Sequence, residues 1–211
     1  MRHTEHGRTV AKHTQCASED KAIFNSEASE SSAQNETESP KRTTDCAGLT
    51  MRSPVAEDGP AITALIAACP PLDPNSAYCN LLQCSDFADT CIVAEKDGRI
   101  VGWISGYRPP SHPERIFVWQ VAVDSSARGI GLGGRMLDEL LSRPAVRGAT
   151  TLTTTITEEN PASWGLFTAF ARRHGAELTR SERFKRDAHF AGAHDTEWQA
   201  SISPLPNAPS N

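Results

Sequence analysis

The segment "DSSARGIGLGGRML", residues 124–137, combines residue types that bind phosphate. Four glycines leave backbone N–H groups uncovered where a helix is predicted to begin: Gly129, Gly131, Gly133 and Gly134. The N-terminal end of a helix carries partial positive charge, which attracts phosphate oxygens to those N–H groups. Arg128 adds a charged donor beside them. The spacing predicts a phosphate-binding turn, and the alternative is a glycine-rich turn with no function.

The order of residues in this turn limits which phosphate-containing ligands it can bind. A nucleotide P-loop requires Lys-Ser or Lys-Thr after its glycines, and neither pair follows here. Residues 129–134 do spell GxGxxG, but a dinucleotide site also needs an acidic residue closing the second strand of a βαβ unit. The segments before the turn have the pattern of hairpins instead. Both nucleotide sites are therefore disfavoured.

A second motif, "NPASWGLFTAF", occupies residues 160–170. Together with the pattern Arg128-x-x-Gly131-x-Gly133, it resembles the GNAT superfamily of N-acetyltransferases, and the resemblance covers about residues 51–202. The resemblance implies that the glycine-rich turn binds the pyrophosphate of acetyl-CoA. It also implies contacts to the rest of this co-substrate from the strand "WQVAVD" and from the second motif: Val121, Ala122, Val123, Asn160 and Ser163.

One residue departs from the family pattern. Many GNAT enzymes have a Tyr that protonates the leaving thiolate, and this chain has Phe167 at that position. A phenyl ring cannot donate a proton, so the acid is another group, a water, or unnecessary. The only tyrosines are Tyr78 and Tyr107, and Tyr107 falls in a predicted hairpin strand.

Acetyl transfer to an amine also requires a proton acceptor, because an alkylamine has a pKa of about 10 and only its neutral form is a nucleophile. A carboxylate or a chain of waters can take that proton. The candidate carboxylates are Asp73, Glu158, Glu159 and Glu197. Since Glu158 and Glu159 directly precede Asn160-Pro161 and fit a helix start, Asp73 and Glu197 are the better candidates.

Four segments resemble one branch of the superfamily, the enzymes that acetylate the γ-amine of L-2,4-diaminobutyrate in the biosynthesis of the compatible solute ectoine. They are "PPLDPNSAYCNLLQC", "FVWQVAVD", "TTTITEENPASWGLF" and "HDTEW". The resemblance implies catalytic roles for Asp73, Trp119 and Glu197. It implies that these three bind the substrate together with Asn75, Tyr78 and His194.

Each of these residues also has an ordinary structural interpretation. Trp119 could be a core aromatic, His194 a loop residue, Asp73 a turn former before Pro74, and Tyr78 a helix anchor. Two other functions stay open as well. One is acetylation of a different amine, such as a polyamine, an antibiotic or a protein N-terminus. The other is a non-catalytic acetyl-CoA-binding regulatory module, which Phe167 favours.

The surrounding elements predict a mixed α/β fold. The Asp97-Gly98 pair between two apolar runs is a strong hairpin signal. The runs "IFVWQVAVD", "TTLTTTIT", "AELTRSERFK" and "DTEWQASIS" predict further strands. Helices are predicted before the hairpin, after the glycine-rich turn and from Pro161, with Asn75 as a candidate N-cap. We expect a mostly antiparallel central sheet flanked by helices, and the resemblance implies a GNAT fold with splayed central strands.

Composition divides the chain. Residues 1–50 hold only five members of the set Val, Ile, Leu, Met, Phe, Trp and Tyr: Met1, Val10, Ile23, Phe24 and Leu49. Such a segment cannot bury a core. We therefore expect a disordered polar extension at residues 1–48, the catalytic domain at 49–203 and a flexible tail at 204–211.

The remaining global features exclude several classes of partner. A net charge of −5 favours neither nucleic acid nor a membrane surface. The six cysteines show no CxxC pair and no zinc spacing, so no metal is expected, and with no export signal the chain is predicted to be cytoplasmic. By analogy with GNAT domains that pair through C-terminal strands, we expect a homodimer acting on a small diamino acid, with "TEWQASIS" as a plausible edge strand.

Overall fold

The computed structural model describes residues 48–206. The extension expected at residues 1–48, except for Gly48, and residues 207–211 of the expected tail lie outside the described residues. The described chain forms seven strands: β1 (Leu49–Arg52), β2 (Ile92–Lys96), β3 (Arg99–Tyr107), β4 (Arg115–Val123), β5 (Thr151–Thr157), β6 (Glu177–Phe184) and β7 (Glu197–Ser203). It forms five α-helices: α1 (Gly59–Ala67), α2 (Ala77–Ser85), α3 (Leu132–Ser142), α4 (Pro161–Arg173) and α5 (Arg186–Phe190).

The strands form one sheet in the order β1-β2-β3-β4-β5-β7-β6. Every neighbouring pair is antiparallel except β4 and β5, which are parallel. The predicted mixed, mostly antiparallel sheet is confirmed. The β4–β5 ladder covers only three residue pairs, from Arg115↔Thr151 to Phe117↔Thr153, although both strands continue beyond it. The two central strands therefore diverge, as the GNAT resemblance implies.

A β-bulge interrupts β4 where this divergence begins. Ser105 pairs with Gln120 and Gly106 with Val118, so Trp119 is an extra residue without a partner on β3. A Cβ on Gly106 would lie 2.8 Å from the carbonyl oxygen of Phe117, so the strands approach this closely only because position 106 is glycine. Because of this extra residue, each later side chain of β4 points to the face opposite the one that regular alternation would give it.

The two faces of the sheet carry separate apolar cores. Helices α3 and α4 cover one face, where Met136, Leu137 and Phe170 pack against Ile116 and Leu152. On the other face α1 packs through Ile62, Leu65 and Ile66 against Val93, Trp103 and Ala122. Because of the bulge, Ile116 and Val118 face the α3 side before it, whereas Val121 and Val123 do so after it.

Local sequence patterns predicted most of the helices and turns correctly. Asp97 and Gly98 both have positive φ values, 52° and 73°, in the β2–β3 hairpin. Helix α4 begins at Pro161, and the Asn160 side chain caps it by accepting a hydrogen bond from the Ser163 N–H. The predicted N-cap of α2 was wrong by one residue, because Ser76, not Asn75, accepts from the Cys79 N–H.

The C-terminal part pairs β6 with β7 and places α5 in the connection between them. After β7, Leu205 is buried and its N–H donates to the Thr150 carbonyl at 3.0 Å, so packing continues beyond residue 203. Between residues 48 and 206 no helix has the length and apolar character needed to cross a membrane.

Candidate active site

A groove of about 370 Å³ runs between the end of β4 and the beginning of α3 and α4. Gly131 has a φ of 75°, a left-handed conformation, and serves as the N-cap of α3. Gly129 likewise has a φ of 76°, so both positions favour glycine. The first N–H groups of α3 have no partner inside the helix and open into the groove with the positive end of the helix dipole. This geometry suits the anion site that the glycine spacing predicts, and the binding of phosphate there stays a prediction.

Nine of the ten residues expected to bind the co-substrate line this groove: Val121, Val123, Arg128, Gly129, Gly131, Gly133, Gly134, Asn160 and Ser163. The exception is Ala122, whose side chain is buried in the opposite core against α1. Arg128 is anchored at the strand end, where its Nε donates to the Val123 carbonyl at 2.9 Å. That hydrogen bond fixes the guanidinium at the rim of the groove.

A second, smaller cavity of about 130 Å³ continues from the groove into the gap between β4 and β5. The two cavities share a set of lining residues: Pro71, Leu72, Val121, Asn160 and Ser163. The described residues therefore form one continuous path from the phosphate-binding turn to the diverging strands. The predicted residues Asp73, Trp119, His194 and Glu197 all line the inner cavity.

Two carboxylates and one imidazole meet in the inner cavity. The Nε2 atom of His194 lies 3.7 Å from Asp73 Oδ2 and 4.0 Å from Glu197 Oε1. His194 Nδ1 is 2.8 Å from the Asp195 carbonyl, which can only accept, so Nδ1 carries a proton. The other ring nitrogen, Nε2, faces both carboxylates. This arrangement concentrates negative charge and suits a ligand with ammonium groups.

Burial raises the pKa of the Glu197 carboxyl above its usual 4.5. The nearby Asp73 charge raises this pKa further, whereas a hydrogen bond from Thr155 and the proximity of His194 lower it. The Glu197 side chain is 18% exposed, in contrast to 78% for Asp73. A sheltered carboxyl with a raised pKa is a stronger base than a solvated one, which suits proton abstraction.

Asn75 and Tyr78 do not line either cavity. The Asn75 side chain instead donates to Gln120 Oε1 at 2.8 Å, and Tyr78 is 69% exposed on α2. The structure thus separates these two residues from the other four predicted substrate contacts.

Four polar residues of the inner cavity are not predicted by the sequence analysis: Gln120, Thr154, Thr155 and Thr157. Thr155 and Thr157 alternate along β5, and this spacing places their side chains on one face, but the run of threonines by itself predicts only a strand. Nothing in the sequence marks Gln120, because its orientation depends on the bulge at Trp119.

Trp119 and Phe167 form apolar walls of the inner cavity. Trp119 is half exposed and makes an edge contact with Tyr107 at a centroid distance of 6.4 Å. Phe167 is buried in the core at the base of the cavity. Neither Tyr78 nor Tyr107 lines the groove or the inner cavity. No tyrosine hydroxyl of this chain therefore takes the place of the family tyrosine that is Phe167 here.

Among residues 48–206 no group of three or more His, Cys, Asp or Glu side chains is arranged to hold a metal ion. Two of the buried cysteines, Cys84 and Cys91, are poor nucleophiles, because burial raises the pKa of Cys84 to about 11 and that of Cys91 to about 12.

The glycine-capped helix, the diverging parallel strands and the two joined cavities define an acetyltransferase architecture. Residues 60–171 match the model of the acetyltransferase (GNAT) family, and the chain belongs to that family.

Relatives within the family are similar over most of their length. The L-2,4-diaminobutyric acid acetyltransferase of Methylotuvimicrobium alcaliphilum is 45% identical over 157 residues, which are 74% of this chain and 91% of that protein. The protein of the same name from Vibrio cholerae is 49% identical over 147 residues, 70% of this chain and 85% of its own. A diaminobutyrate acetyltransferase from Paenibacillus lautus, solved with L-2,4-diaminobutyric acid and coenzyme A, is 37% identical with a TM-score of 0.73. That alignment covers 77% of this chain and 98% of the other.

Proposed function

We propose that this protein transfers the acetyl group of acetyl-CoA to the γ-amine of L-2,4-diaminobutyrate, giving N4-acetyl-L-2,4-diaminobutyrate in ectoine biosynthesis. The observation that carries the proposal is the joining of a phosphate-binding groove to a small cavity holding two carboxylates, Asp73 and Glu197. The relatives with the same name and the Paenibacillus lautus complex support it.

The groove fits acetyl-CoA. Positive φ values at Gly129 and Gly131 expose backbone N–H groups to the pyrophosphate, and Arg128 supplies a charge beside them. Acetyl-CoA brings an activated thioester to the junction of the two cavities. The backbone of β4 beyond Phe117 has no pairing with β5, so its N–H groups can stabilise the oxyanion that develops there.

The inner cavity fits a small diamino acid. Asp73 and Glu197 face one space, and each can neutralise one ammonium group. The raised pKa of Glu197 suits it to remove the proton from the reacting amine, while the more exposed Asp73 binds an ammonium group. A thiol has a pKa of about 8.5, so its anion departs without a strong acid, and Phe167 serves as an apolar wall.

Turnover of the purified protein tests this function. We expect coenzyme A release with acetyl-CoA and L-2,4-diaminobutyrate, and mass spectrometry with fragmentation should locate the acetyl group on the γ-nitrogen. Parallel reactions with a polyamine, a peptide N-terminus and an aminoglycoside provide the comparison. Faster turnover of any of these, or acetylation of the α-nitrogen, would contradict the proposed acceptor.

Assembly into a homodimer, a cytoplasmic location and a role in osmotic stress are predictions of the same proposal. The prediction that "TEWQASIS" is an edge strand is wrong, because β7 pairs with β5 on one side and with β6 on the other. Strand β6 supports the homodimer instead, since it lies at the end of the sheet and most of its residues are exposed. Native mass spectrometry at micromolar concentration should give twice the chain mass of 22.8 kDa. A single-chain mass would remove the homodimer from the proposal.

A further inference from the structure

The position of Asp73 is not fixed by packing of its own side chain, which is 78% exposed. Asp73 belongs to the connection between α1 and α2, and Pro71 and Leu72 of this connection line both cavities. The direction in which the Asp73 carboxylate points therefore depends on what holds the backbone of residues 70–76, here called the acceptor loop.

One side chain of β4 holds this loop at two points. The Nε2 of Gln120 donates to the Asp73 carbonyl at 2.8 Å, and its Oε1 accepts from Asn75 Nδ2 at 2.8 Å. Gln120 is only 5% exposed, so the amide itself has little contact with bulk water. Both ends of the amide are committed to the loop.

The same hydrogen-bond chain continues into the helices. Asn75 Nδ2 lies 3.3 Å from Asn80 Oδ1 on α2, and Asn80 Nδ2 donates to Thr63 Oγ1 on α1 at 2.8 Å. Asn80 is 1% exposed. A buried network whose members are paired fixes the relative positions of its elements, here β4, the acceptor loop, α1 and α2.

Gln120 reaches the loop only because of the bulge. Without the extra residue Trp119, the side chain at position 120 would face α3 and α4, as those of Ile116 and Val118 do. The one irregularity of β4 therefore turns Trp119 into the inner cavity and Gln120 toward the loop that carries Asp73.

We propose that Gln120 is a positioning residue for the acceptor amine, acting through the acceptor loop. It holds the Asp73 backbone so that the carboxylate faces the ammonium group of the substrate, and Asn75 acts as its partner without touching the substrate. This inference rests on the proposed function and deepens it, because it assigns acceptor recognition to an amide that does no chemistry.

The first test replaces the amide with an apolar side chain of similar size. Gln120→Met should raise KM for L-2,4-diaminobutyrate about tenfold, because two buried hydrogen bonds to the loop are lost. The Kd of acetyl-CoA, measured by calorimetry, should stay within about twofold. Gln83→Met is the matched control: Gln83 is a buried amide on α2 whose Oε1 accepts no hydrogen bond from the described residues. It should leave both constants unchanged.

The second test separates positioning from direct contact. Asn75→Ala should also raise KM for the diamino acid, although Asn75 lines neither cavity. In an Asp73→Ala background, Gln120→Met should add less than about a twofold further change, since the residue that it positions is gone. If Asn75→Ala has no effect, or if the Gln120 and Asp73 effects add fully, Gln120 contacts the substrate itself and the inference is overturned.

These outcomes are distinct from failure of the proposed function. If the unaltered protein does not acetylate L-2,4-diaminobutyrate, the function is wrong, and the same variants are then compared on the amine that it does acetylate. If the unaltered protein is active and Gln120→Met retains its KM with a normal unfolding temperature, only the positioning role fails.

Discussion

At the scale of single residues, the two carboxyl groups of the inner cavity differ in their exposure to solvent. Asp73 is open to solvent, whereas Glu197 is sheltered and burial raises its pKa. His194 lies between them with Nε2 toward both. We therefore propose different tasks for the two carboxyl groups, ammonium binding for Asp73 and proton removal for Glu197.

Replacement of Glu197 should have opposite effects on activity and stability. Glu197→Gln should lower kcat/KM about 100-fold or more, because the proton acceptor is lost. A carboxyl with a raised pKa stabilises the fold below its unfolded pKa and loses that contribution as pH rises through the folded pKa. At pH 7 the variant should therefore melt at a higher temperature than the unaltered protein, and the gain should vanish below pH 4.5.

The exposed residue Glu159 provides the control for that experiment. Glu159 lies outside both the groove and the inner cavity, so Glu159→Gln should leave kcat/KM and the melting temperature unchanged.

In the unaltered protein, kcat/KM should rise with pH through the raised pKa of Glu197. An acid limb at the ordinary value of 4.5, or one that persists in Glu197→Gln, would assign the proton acceptor to another group.

At the scale of elements, the close approach of β3 and β4 at Gly106 builds the site. The bulge opposite this glycine turns Trp119 toward the inner cavity and Gln120 toward the acceptor loop. Beyond the bulge β4 leaves β5, which opens the path between the two cavities. A single irregular position therefore shapes the inner cavity and the acceptor loop together.

Gly106→Ala should destabilise the protein by about 1–3 kcal/mol, because the new Cβ would meet backbone oxygens that cannot rotate away. Those oxygens belong to Phe117, at 2.8 Å, and Thr90, at 3.1 Å. Denaturant unfolding measures the change, and KM for the diamino acid should rise with it. Gly165→Ala is the control: it lies in α4 with open space around its Cβ and should add about 1 kcal/mol of stability. Equal stabilities for the two variants would contradict a rigid contact at Gly106.

At the scale of the whole molecule, the residues among 48–206 that line the groove or the inner cavity all lie from Cys69 to Glu197. The polar composition of residues 1–50 leaves that segment too few apolar side chains for a core. The division of the chain into an extension, a catalytic domain and a short tail remains a prediction.

Removal of residues 1–47 should leave kcat and both KM values unchanged, because the shortened chain keeps all the residues from 48 to 206 that line the groove and the inner cavity. Steady-state kinetics of the shortened and full-length chains, at matched concentration and with matched melting temperatures, tests this expectation. A change in KM for either substrate would give the extension a part in binding.

The sequence by itself determined the features that depend on local chemistry. The glycine positions, the start of α4 at Pro161, the Asp97-Gly98 turn and the alternation of strands with helices follow from backbone conformational preferences within a few residues. The tertiary structure decided what depends on register between distant strands. The bulge at Trp119 and the orientation of Gln120, which accepts a hydrogen bond from Asn75, follow from how β3 pairs with β4. The exposed position of Tyr78 depends instead on how α2 packs. A register shift of one residue moves the following side chains of a strand to the opposite face of the sheet, and the amino-acid sequence of β4 alone does not show where that shift occurs.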